Sequence, residues 1–146
     1  MILEIRTYRL KPGTREDFVR IMREESLPLL AKAGIDVVAH GASLVDEDGH
    51  EEAYLIRAFP SREARDEQED AFYGSAEWLR GPREGIVSRI DGYHTIVIEA
   101  GDDAVRALRR QPDRNDGGRG SGPPSEPAAM ISGTAPSVPR GACPRP

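Results

Sequence analysis

Cysteine is nearly absent from this chain of 146 residues, and the single one, Cys143, can form no internal disulfide and cannot by itself build a metal site. A chain built this way suits a reducing compartment, and a cytoplasmic protein is expected. Long apolar runs are also lacking: none approaches the roughly 20 residues of a membrane span. The opening MILEIRTYRL carries no basic stretch ahead of an apolar core, so no signal peptide is expected. Positive charge is scarce where it would matter. Residues 1–100 hold 13 Lys/Arg against 20 Asp/Glu, a net of −7. An acidic unit offers no face for nucleic acid or for an anionic membrane, and neither is expected as a partner.

Aromatic residues are few, 5% of the chain, and all of them precede residue 100. Residues 101–146 instead hold 8 of the 12 prolines, 7 of the 15 glycines and a net charge of +2. The predicted organisation is therefore one domain over 1–100 and a Pro/Gly/Arg-rich tail over 101–146. Within the tail, 112–146 has too little apolar surface to offset the entropy of ordering and is expected to be disordered. Residues 102–110 (DDAVRALRR) could add one or two helical turns, with acids at the start and arginines at the end as the helix dipole prefers.

Hydrophobic periodicity supplies the elements. Ile2–Leu10 alternates as a strand, with Leu3, Ile5 and Thr7 on one face and Glu4, Arg6, Tyr8 and Leu10 on the other. Lys11-Pro12-Gly13 ends it. Thr14 is a suitable N-cap for a helix over about 15–33, kinked at Pro28 and closed by Gly34. Strands follow over 35–45 and 52–59, joined by the acidic turn Asp46–His50. Ser61 caps a helix reaching Gly74, two short helical pieces start at Ser75 and at Gly81-Pro82, and 93–99 is a last strand. The order β-α-β-β-α-β gives an α+β, ferredoxin-like fold: a four-stranded antiparallel sheet with helices on one face. The other face needs a cover, and a second copy of the chain is the simplest one, so a homodimer is expected.

Three stretches resemble the NIPSNAP family. They are Glu4–Gly13 (EIRTYRLKPG), Tyr54–Arg65 (YLIRAFPSREAR) and Phe72–Trp78 (FYGSAEW), in that order and spacing. The resemblance covers nearly all of 1–100 and none of the tail. It implies a dimeric α/β barrel and no single activity. The wider superfamily includes cofactor-free oxygenases, isomerases, cyclases and haem-handling enzymes, an analogy at the level of fold alone.

The candidate site residues follow from alternation. If Leu3 and Ile5 seat the helices, Arg6 and Tyr8 face a barrel interior, joined there by Arg57 and Phe59. Guanidinium groups would hold a carboxylate or oxyanion while rings receive an apolar body. Equally, these arginines could form structural ion pairs with acids such as Glu4, each adding about 0.2–1 kcal/mol. His40 and His94, on the second and fourth strands, are candidate general bases or else core histidines. Trp78 and Arg83 could line the mouth of a ligand site, Arg83 by standing at a helix start; a Trp in this setting more often anchors a loop. No spacing suggests a metal or any other cofactor, and none is expected. The expected function is binding of a small apolar or aromatic metabolite. A cofactor-independent oxygenase, isomerase or cyclase is the enzymatic alternative, and a non-catalytic adaptor module the third.

Overall fold

A computed structural model of the protein describes residues 1–109; the stretch expected to be disordered, 112–146, lies outside the described residues. Four strands, β1 (Ile2–Leu10), β2 (Asp36–Ala42), β3 (Glu51–Phe59) and β4 (Ile90–Glu99), form one antiparallel sheet in the order β2-β3-β1-β4. Helices fill the connections: α1 (Arg15–Ile21) and α2 (Leu27–Lys32) after β1, then α3 (Arg62–Tyr73), α4 (Ala76–Arg80) and α5 (Arg83–Val87) after β3. This is the expected α+β arrangement.

The expected single helix over 15–33 is interrupted by a π-helical turn, Met22–Ser26. Its cause is Pro28, which has no N–H to donate and whose ring would press on the carbonyl four residues back. One residue earlier, Leu27 donates its N–H to the Met22 carbonyl, five residues back, and the helix resumes as α2. Gly34, at φ 77°, then turns the chain into β2 in a conformation that side chains rarely adopt. Ser61 and Ser75 cap α3 and α4 by accepting N–H groups of Ala64 (3.1 Å) and Trp78 (3.3 Å). Thr14 makes no such cap; its hydroxyl donates to the Lys11 carbonyl at 2.6 Å.

Two strand limits differ from the sequence reading by more than one residue. β2 stops at Ala42, leaving Leu44 and Val45 exposed in the turn. β4 starts at Ile90, because a bulge between Arg9 and Leu10 lets Leu10 pair with Ile90 while Arg9 still pairs with Gly92.

Which face seats the helices is reversed from the expectation. Tyr8, Leu10, Leu55 and Phe59 pack with Phe18, Met22, Leu30, Phe72, Trp78 and Ile86 in the main core. Leu3 belongs to a smaller cluster on the other face, with Val38, Ala58 and Val105. The reason lies in the parity of the larger side chains. Tyr8 and Leu10 on β1 share a face with Leu55 and Phe59 on β3, and this set carries more apolar surface than Leu3 and Ile5. Strand alternation brings Glu4 and Arg6 along to the helix side.

The second face is not wholly open. Of residues 102–110, offered by the sequence as helical turns, 102–109 form α6 (Asp102–Arg109) and residue 110 lies outside the described residues; packed structure continues past residue 100. Val105 is buried in the second cluster, and Arg109 donates to Asp36 of β2 at 2.7 Å. Val105 and the Arg109–Asp36 pair thus seat α6 over Leu3 of β1, Val38 of β2 and Ala58 of β3. Ile96 and Ile98 of β4 remain exposed.

Candidate functional site

Between α3 and the sheet lies a cluster of charged and phenolic side chains where an apolar core would be usual. The β1–β3 register sets Glu4 opposite Arg57, and the β1–β4 register sets Arg6 opposite Thr95 and Tyr8 opposite Tyr93. Partners opposite one another share a face. From above, α3 contributes Arg65, Glu69 and Tyr73, spaced four residues apart and so aligned along one side of the helix.

Glu4 and Arg57 form the floor, both with no solvent exposure. Arg57 Nε donates to Glu4 Oε1 at 3.1 Å and its Nη2 contacts the same oxygen. Arg65 Nε donates to Glu4 Oε2 at 2.7 Å, and Arg6 Nη2 lies 3.4 Å from Oε1. Glu69 sits at the outer edge with its side chain 13% exposed. Its Oε1 accepts from Arg57 Nη2 at 2.8 Å and lies 4.0 Å from Arg6 Nη2, while its Oε2 lies 3.3 Å from Arg65 Nη2. The Tyr73 hydroxyl oxygen accepts from two guanidinium groups at once, Arg57 Nη1 at 2.9 Å and Arg6 Nη1 at 3.0 Å. Arg6 Nε donates to Thr95 Oγ1 at 3.1 Å, and its guanidinium lies 5.4 Å from the Tyr93 ring centre.

The two carboxyl groups are driven apart. Burial opposes charge on Glu4, but the hydrogen bond from Glu69 and the charges of Arg57 and Arg6 outweigh it and hold the group at about 2. Burial, then the hydrogen bond and charge of Glu4, push Glu69 up to about 7, with Arg57 and Arg6 offsetting only part of this. Two nearby carboxylates seldom both ionise easily, and here the less buried one keeps its proton longer. Burial pushes the Tyr8 hydroxyl up to about 12. Arg57 is held above its ordinary range, burial notwithstanding, by Tyr73, Glu4 and Glu69. At neutral pH the cluster thus combines three arginines, one fixed carboxylate and one poised carboxyl group. It can hold an oxyanion and can exchange a proton.

Arg6, Tyr8, Arg57 and Phe59 are brought to one face as alternation requires, but beneath the helices and not in a barrel interior. Phe59 and Tyr8 are core packing, Tyr8 against Phe18 at 5.0 Å. Trp78 is buried against Phe72 and Tyr73, ring centres 5.4 Å from each, and so buttresses Tyr73. Arg83 begins α5, half-buried, and no hydrogen bond or ion pair joins it to the cluster. His40 and His94 stand on opposite edge strands and opposite faces: His40 pairs with Leu55 on the helix side, His94 with Thr7 on the other. Burial, and then the charge of Arg23, lower the pKa of His40, which is removed from the cluster. The sequence reading missed Arg65 and Glu69 as site residues. Their signal was the polar stripe at every fourth position of α3, a helix in which Phe72 is the one fully buried residue.

Among the described residues no helix is long and apolar enough to cross a membrane, and no group of three His, Cys, Asp or Glu could hold a metal ion. A NIPSNAP sequence profile matches residues 3–94. No protein of curated function matches. Among solved structures, a NIPSNAP domain protein from Burkholderia xenovorans is similar at a TM-score of 0.61 and 17% identity, over 70% of this chain and 96% of that one. A NIPSNAP family protein of unknown function from Agrobacterium tumefaciens has a TM-score of 0.61 and 24% identity, over 68% of this chain and 87% of that one. A protein from Nitrosomonas europaea provisionally named an antibiotic biosynthesis monooxygenase has a TM-score of 0.51 and 16% identity, over 68% of this chain and 98% of that one. At these identities the likeness is one of fold.

Proposed function

The chain belongs to the NIPSNAP family, and from that premise we propose that it binds a small apolar or aromatic metabolite through a carboxylate or enolate oxygen held by Arg6, Arg57 and Tyr73. One observation carries this reading: two guanidinium groups converge on a single oxygen, the Tyr73 hydroxyl, at 2.9 and 3.0 Å. Donors gathered on one point in a nearly dry setting are the arrangement that recognises concentrated negative charge. The half-buried rings of Tyr73 and Tyr93 beside Arg6 offer an apolar wall. Isothermal titration with benzoate tests it: the wild type binds, and Tyr73→Phe weakens binding about tenfold, as loss of a charge-assisted hydrogen bond would. Equal binding of benzoate and neutral benzamide would end this reading.

Proton transfer without a cofactor is the second reading, favoured by Glu69. A carboxyl group at about 7 beside one at about 2 is the separation that lets one act as acid or base while the other stays ionised. The chemistry would be removal of a proton next to a carbonyl group, with Arg6 and Tyr73 steadying the enolate oxygen, as an isomerase or cyclase requires. The histidines take no part in it. Pairing of two copies across the second sheet face, at Ile96 and Ile98, completes the proposed assembly.

A further inference from the structure

We propose that Glu69 is an internal stand-in for the ligand's carboxylate, filling the arginine slot when no ligand is present and leaving it when an anionic ligand enters. The inference rests on the reading of the cluster as an anion site and adds how that site is regulated.

The geometry distinguishes the two carboxylates. Glu4 belongs to the sheet, has no solvent exposure, and has both oxygens engaged by arginines at 2.7–3.1 Å. No path leads it to water. Glu69 belongs to α3 and lies at the rim, with one oxygen 2.8 Å from Arg57 and 4.0 Å from Arg6, the other 3.3 Å from Arg65. A single carboxylate bridging three guanidinium groups is the pose a ligand carboxylate would take. Rotation of the Glu69 side chain toward solvent would vacate it without moving a strand.

Charge gives the reason for exchange. Arg6, Arg57 and Arg65 face Glu4 and Glu69, so an ionised Glu69 leaves the cluster one positive charge in excess. Its departure unaided would leave two, which an entering anion restores to one. The charged groups that face Glu69 are Glu4 and Arg6 from β1, Arg57 from β3 and Arg65 from α3 itself, with Tyr73 bound to the same two arginines, Arg6 and Arg57, and Tyr93 of β4 beside Arg6. Arg6 and Arg57 are held above their ordinary range, Tyr8 is pushed up by burial, and Glu4, at about 2, stays ionised. Glu69, pushed up to about 7, is the group of the cluster that changes charge there. Protonated, it is a poor counter-ion and a weak competitor. If the neutral form admits the ligand, the competent fraction falls about tenfold between one pH unit below that value and one above it.

The test is calorimetric titration of the full chain with benzoate, at about one pH unit to either side of the Glu69 value, for wild type and Glu69→Gln. Wild-type affinity should weaken about tenfold at the higher pH, while Glu69→Gln binds with the tighter affinity at both. The wild-type pH dependence stands without the variant, and circular dichroism verifies the variant's fold. Benzoate binding in which Glu69→Gln is no tighter, with a flat wild-type profile, would overturn the stand-in and leave the anion site intact. Absence of benzoate binding by both proteins at both pH values would overturn the site and the stand-in together.

Discussion

A carboxylate sealed from water persists in a folded protein only among partners, and Glu4 has three, in Arg57, Arg65 and Arg6. Removing its charge strands Arg57, which is equally buried. Glu4→Gln is therefore expected to cost about 3–5 kcal/mol, the usual penalty for breaking a buried pair from one side, measurable by urea unfolding. The carboxyls contribute opposite pH slopes. Glu4 is lowered on folding, so its stabilisation is complete above its unfolded value of 4.5 and is lost as pH falls toward 2. Glu69 is raised on folding, so the folded state holds the extra proton between 4.5 and 7 and loses stability as pH rises through that window. The melting temperature of wild type minus that of Glu69→Gln should accordingly decline across it; a constant difference would contradict the proton placement. His40, with a slope of the other sign, contributes equally to both proteins and drops out. At this scale the sequence yielded Arg6, Arg57 and Glu4 as associates, because strand alternation is a rule of two. It did not yield their partners: Arg65, Glu69 and Tyr73 share one side of a helix so rich in charge that nothing marks which charges point inward.

At the scale of the element, the order of strands and helices was readable because alternation and caps are local. Gly34, Ser61 and Pro60 punctuate the chain where the elements change. The direction in which the sheet faces was not readable from β1 alone. Both its faces carry apolar residues, and the choice depends on Leu55, Phe59 and the helix residues that meet them. α6 shows the same limit. Its composition is polar, yet Val105 is almost wholly buried against Leu3, Val38 and Ala58, and Arg109 pins the last turn to Asp36. A helix of this length is marginal alone and depends on such docking. Val105→Ser is expected to destabilise the fold by about 1–3 kcal/mol through loss of buried apolar surface and an unsatisfied hydroxyl. Hydrogen exchange should then show α6 opening ahead of the sheet, and unaltered protection of residues 102–109 would refute the docking.

At the scale of the whole molecule, the two sheet faces are unequally covered. The helices cover β1 and β3 on their side and leave Val97 of β4 exposed; on the other side α6 shields β2, β3 and Leu3 at the start of β1, which leaves β4 and the part of β1 around Ile5. There Ile96 and Ile98 are 45% and 42% exposed, with Ile5 half-buried beside Ile96. We propose that this aliphatic surface is covered by another chain, for which the self-complementary solution is a two-fold pair of identical faces. The position of α6 makes the expectation specific: copies should meet through β1 and β4 rather than across the full sheet. Sedimentation equilibrium at micromolar concentration should give twice the chain mass. Ile98→Lys should shift it to a monomer, because each copy would press a lysine into the other's apolar patch. Val105→Ser should lower stability and leave the mass doubled, since Val105 faces the sheet from α6 and lies away from Ile96 and Ile98. The two substitutions thus separate folding from association. A wild-type monomer, or a dimer lost with Val105→Ser and kept with Ile98→Lys, would move the contact off this half of the sheet.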